Sequence, residues 1–361
     1  MNILEQLIKQ GNVVGALDVL QKRLKSSDNP QTIHDELYPV AQTVLNPPFI
    51  NPHIPKMHRI CRELYNYLKP DEAGELLRVE VSEYARREKF KAPIKYGEFP
   101  PHTQGDLREA IMKRDRDEVA NILAATGSCE GKVELSHRLL RLGSGYLDSS
   151  LGHSVSCTAF ILLEYSERKR EDEWPTYSVI ADYFCKGEYS EEPVDMSVPD
   201  PNRIVEDNML RAVSGTGIGA LHDAITIYAI EMAKPITGDS IHSHLVGSWF
   251  NFLGDKKAEP FIGDSKPSGG ETLDYSKFYE LYSGREAEKL VSYASKMIVD
   301  LDDRRKLCHF LVKGLCDSYR GSYNPHFLTG LGMVLWVINR HWETPRIPET
   351  ALYQYLDYLF S

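Results

Sequence analysis

Residues 151–166 read Leu-Gly-His-Ser-Val-Ser-Cys-Thr-Ala-Phe-Ile-Leu-Leu-Glu-Tyr-Ser. Ala159 to Leu163 is wholly apolar, and no polar face recurs around it at helical spacing. A helix that is hydrophobic on nearly all sides must lie inside a bundle of other helices. The pattern recurs in Ile225–Ile230 and Met333–Ile338. Leu135 to Ser166 is the most apolar helical region of the chain, interrupted at Gly143 and Gly145. Alternating β-branched runs bounded by tight turns, the signature of strands, are missing. The expected class is therefore all-α, a multi-helix globular bundle with long connecting loops.

Around these helices the chain is expected to form one α-helical domain over residues 1–361, with residues 1–45 as an N-terminal helical hairpin packed on it. Ile3, Leu4, Leu7 and Ile8 make one stripe and Val14, Leu17, Leu20 and Leu24 another, with Gly11-Asn12 breaking between them. No second copy follows at a fixed period, which argues against a solenoid. A helix is expected from Pro52 to Tyr67. Another spans Asp71–Arg87, whose charge predicts a largely solvent-facing element. A third covers Asp106–Ala125. Gly187–Pro201 and Gly254–Gly270 are long, Pro/Gly-rich connections of the kind that often serve as lids or binding loops.

Composition narrows the function classes. Lys+Arg number 42 against 52 Asp+Glu, a net charge of −10, with 42% hydrophobic and 26% charged residues. That apolar content argues against disorder, and the acidity argues against a nucleic-acid partner. Six cysteines form no Cys-x-x-Cys pair, and together with the missing basic leader they predict a cytoplasmic protein. No segment approaches the roughly 18 apolar residues of a membrane helix, so no membrane partner is expected.

Chemistry is carried by position rather than by motif. Walker, nucleophile-elbow and zincin signatures are all missing. The Gly-rich run from Ser214 to His222 follows a helix-like segment, not the strand a dinucleotide fold requires, so close helix packing is its expected role. Four histidines stand at or near the starts of apolar helices: His53, His153, His222 and His326, two of them in Asn-Pro-His (Asn51–His53, Asn324–His326). Either each is a satisfied core residue, or the four helix ends converge on one cavity, where imidazoles act in proton transfer. The second reading assigns His53, His153, His222 and His326 as catalytic. It places Tyr146, Cys157, Tyr228, Trp249 and Trp336 around a small-molecule substrate. No residue is assigned to a metal: no Glu-x-x-His pair lies nearby, and His242 and His244, two apart, point to opposite sides of a helix.

The segment Phe49-Ile-Asn-Pro-His-Ile-Pro-Lys-Met-His58, the helix leading to Lys91, and the order of His153, His222 and Asn324-Pro-His326 resemble the questin oxidase-like family. That resemblance implies an all-α oxidoreductase performing a Baeyer–Villiger-type monooxygenation of bulky aromatic molecules, with NADPH as the implied cofactor. No dinucleotide or flavin motif points to a cofactor independently. The alternatives are a non-enzymatic helical scaffold for protein–protein interaction and a metal-dependent helical enzyme.

Overall fold

The structure, a computed structural model, describes residues 2–97, 102–168, 173–187, 189, 193–262 and 274–361. It is all-α: 72% helical, with 20 α-helices and no strand among the described residues. Helix starts follow their caps. Asn2, Asn12, Asn29, Asp115, Asp200, Asp274 and Asp300 each accept a main-chain N–H of the first turn. No helix among the described residues is long and apolar enough to cross a membrane.

The apolar segments stand at the centre. Residues His153 to Tyr165 of the His153–Glu167 helix are all buried. This helix packs on His53–Leu64 and on Gly217–Met232, and both of those pack on His326–Arg340. The four form a closed ring. Gly152 has φ +74, and a Cβ there would collide with the Thr226 hydroxyl. Only glycine lets the chain turn into the His153–Glu167 helix so close to its neighbour.

Of residues 1–45, expected as a hairpin, Ile3–Lys9 and Val13–Lys25 form one and two short helices, Pro30–Glu36 and Tyr38–Ala41, follow; Val13–Lys25 lies on Ala73–Arg86. That last helix departs from the sequence expectation. It is mostly buried, not solvent-facing, because two of its acids are neutralised inside. Glu80 accepts hydrogen bonds from Tyr65 (2.6 Å), Tyr84 (2.6 Å) and His34 Nδ1 (2.9 Å). Glu83 accepts from Arg87 (2.6 Å), Tyr319 (2.8 Å) and the Tyr323 amide (3.1 Å). Against the opposing effect of its burial, the neighbouring His34 and His58 hold Glu80 below the usual carboxylate range. Glu80→Gln keeps the shape but removes the charge from three donors, and is expected to cost about 2–4 kcal/mol in urea unfolding. A loss under about 0.5 kcal/mol would show that the network contributes nothing net.

Two other expectations need correction. Asp106–Ala125 is two helices, Gln104–Met112 and Arg116–Cys129. Arg114 takes φ +56 and Asp115 caps the second, so the chain turns there despite continuous helical patterning. The glycines of 214–222 do not serve close packing: space is open beside Gly217 and Gly219. Gly215 (φ +80) and Gly217 (φ +77) instead supply a left-handed turn after Pro201–Ala212. Of the long loops, residues 188, 190–192 and 263–270 lie outside the described residues, and with them the lid expectation. The described remainder is tied to the core: Met196 N–H to His244 Nδ1, Glu259 N–H to Ser214 Oγ and Phe261 N–H to Thr350 Oγ1.

Candidate functional site

His53, His153 and His326 are the first residues of their helices, and His222 lies one turn inside Gly217–Met232. The ring of helices brings all four side chains to one end. The Nε2 atoms are 2.8 Å apart for His53–His153, 3.1 Å for His153–His222, 3.0 Å for His222–His326 and 3.4 Å for His153–His326. All four rings are buried.

The opposite ring nitrogens fix the tautomers. Nδ1–H donates to the Ser150 carbonyl from His153 (2.7 Å), to the Ile218 carbonyl from His222 (2.7 Å) and to Asn324 Oδ1 from His326 (2.8 Å). His53 Nδ1 lies 3.2 Å from Asn46 Nδ2, whose amide oxygen is held by Arg87. Three Nε2 atoms therefore carry lone pairs and no proton. A proton on His53 Nε2 satisfies the 2.8 Å contact alone and leaves the other three as lone pair against lone pair. Extra protons do not resolve this. Burial, reinforced by Lys56 and by the neighbouring rings, pushes His53, His153 and His326 far below the ordinary imidazole value and His222 to about 4.

A cation does resolve it. With metal–nitrogen bonds of about 2.0–2.1 Å, neighbouring nitrogens stand about 2.9 Å apart in right-angled geometry and about 3.4 Å in tetrahedral geometry, the range of the separations among His153, His222 and His326. The Nδ1–H bonds of His153, His222 and His326 are of the kind that orients metal-ligating imidazoles. His153, His222 and His326, each within 3.4 Å of the other two, can thus share one metal ion, where the sequence expectation assigned no metal ligand.

A second group, His34, His58 and Glu80, is also close enough to share an ion, but fits one poorly. Its Nδ1 atoms face Glu80 and Tyr84. An ion bound there would leave two Nε2–H groups buried without acceptors among the described residues.

Beside the four-histidine cluster opens a cavity of about 610 Å³. Tyr146, Tyr183, Tyr189 and Tyr358 give it aromatic walls, with Phe49 and Leu151 towards the outside. Of the residues expected around the substrate, Tyr146 lines it. Cys157, Tyr228, Trp249 and Trp336 do not: Cys157, Tyr228 and Trp336 lie at least one turn beyond the histidines of their helices, and Trp249 is on a separate helix, Lys234–Leu253. Tyr228 packs between Phe160 and Trp336, and the Trp249 indole N–H donates to the Asp223 carbonyl. Burial raises the Cys157 thiol to about 11. His242 and His244 do face different neighbours, Glu231 and Ser144.

One residue escaped the sequence reading. Lys56 stands one turn below His53, fully buried, and donates to Ser156 Oγ (3.0 Å), which stands one turn below His153. No carboxylate lies within ion-pair distance of it among the described residues, and burial lowers it to about 8. Its position three residues after His53 was the available signal. No family model, curated protein or solved structure matches this chain.

Proposed function

We propose that the protein is a metal-dependent oxygenase acting on a bulky aromatic small molecule. His153, His222 and His326 are its metal ligands rather than its acids and bases, and His53 turns its Nε2–H towards them. The observation behind this reading is the convergence of the three unprotonated Nε2 atoms of His153, His222 and His326 at metal-ligand spacing, each Nδ1–H already engaged. Neutral imidazoles suit iron, copper, nickel or zinc, and a redox-active ion held there would supply oxygen activation beside the aromatic cavity. The rings sit at three helix N-termini above the Lys56 ammonium, and this positive field favours an anionic oxygen, such as an ionised phenol, in a remaining position. The resemblance to questin oxidase-like proteins supports the same reaction class.

Reconstitution with Fe(II), Cu(II), Mn(II) or Zn(II), followed by elemental analysis, is expected to give about one ion per chain. Oxygen uptake with 2-naphthol is expected only with a redox-active ion. Comparing uptake with and without NADPH distinguishes an external reductant from electrons drawn from the substrate. A folded protein that retains no ion after gel filtration overturns the proposal.

A further inference from the structure

The mouth of the cavity is apolar beyond what folding requires. Phe49, Ile50, Leu151 and Ile218 line it and are 59, 46, 49 and 37% exposed. Each is tied to the four-histidine cluster: the Phe49 ring stands edge-on to His53 at 5.9 Å, Ile50 follows it, Leu151 is two residues before His153, and the Ile218 carbonyl accepts from His222. Leu151 adds an independent observation. It adopts φ +50, a left-handed conformation that disfavours a side-chain-bearing residue and suits Gly or Asn. A leucine that is strained and half exposed gains little for the fold, and such strain concentrates where a ligand is gripped.

We infer that the substrate is an aromatic compound bearing a long apolar extension, with the aromatic head in the cavity and the extension lying across Phe49, Ile50, Leu151 and Ile218. This rests on the reading of the cavity as a substrate site. The occupant is part of the substrate, not a separate partner, because Phe49, Ile50, Leu151 and Ile218 line the same cavity as the tyrosines and the four histidines.

The test uses the full chain and the intrinsic fluorescence of 2-naphthol and 6-octyl-2-naphthol. The octyl compound is expected to bind at least about tenfold more tightly. Leu151→Asn and Ile218→Ser are expected to remove most of that gain while changing the 2-naphthol Kd by less than about twofold. Leu151→Asn is compatible with the left-handed backbone, so its Tm should be unchanged or higher. If 2-naphthol binds and the octyl chain adds nothing, or both variants keep the gain, this inference alone falls. If neither naphthol binds, the substrate reading of the cavity falls with it. Co-sedimentation with phosphatidylcholine vesicles that is lost in both variants, with no octyl gain, would assign the rim to a lipid surface instead.

Discussion

His153→Ala is expected to abolish metal binding and oxygen uptake together. His153 is the hub of the cluster: its Nε2 is 2.8 Å from that of His53, 3.1 Å from His222 and 3.4 Å from His326. Removing it leaves two ligand rings, His222 and His326, and a gap, and bound metal should drop from about one ion per chain to under about 0.1 after gel filtration. kcat/KM should fall by more than about 10³-fold, because the centre that activates oxygen is lost. The metal-free fold should lose little stability, since the substitution also relieves crowding among unprotonated nitrogens. Added imidazole should occupy the gap and restore part of both metal content and uptake. A general acid–base role predicts the opposite pattern: metal content untouched and only the pH profile changed. An Ala variant that keeps its metal therefore removes His153 from the ligand set.

What the sequence revealed of this centre follows from helix physics. An apolar run such as Ala159–Leu163 can lie only in the interior, so the helices and their buried order were legible. So was the placing of histidines at their ends, since Pro52 and Pro325 mark where two of those helices begin. The nature of the cluster was not legible. Whether imidazoles at four distant positions donate or accept depends on their outer nitrogens, and those partners (Ser150, Ile218, Asn324) are set by local backbone turns. The misplacement of Tyr228 and Trp336 has a similar origin. They sit on the right helices, but 6 and 10 residues beyond His222 and His326, which at 1.5 Å per residue is about 9 and 15 Å away from the cavity. Charge misled for Asp71–Arg87 because burial of Glu80 and Glu83 depends on donors that come from residues as distant as His34 and Tyr319.

Lys56→Met should stabilise the protein and alter its metal site at once. The ammonium is buried on a single hydroxyl, and its fall from the ordinary value of 10.5 to about 8 corresponds to about 3 kcal/mol of destabilisation when charged. The sign follows from proton counting. Between pH 8 and 10.5 the unfolded chain holds the Lys56 proton and the folded one does not, so raising the pH stabilises the fold. Lys56 therefore contributes a stability present above pH 10.5 and lost as the pH falls through 8. The difference between the two proteins isolates this effect from other groups that titrate in the same range. At pH 7 the Met variant should be more stable by about 1–3 kcal/mol, and the gap should close by about pH 10.5. The same charge opposes any cation on the four rings, as it opposes their protonation. Metal affinity should therefore rise about tenfold in the variant. If turnover relies on the field of Lys56 to hold an anionic substrate oxygen, KM for 2-naphthol should rise even as metal binding tightens. A purely structural lysine would shift stability alone. A Met variant with unchanged metal affinity and KM would place Lys56 outside the site.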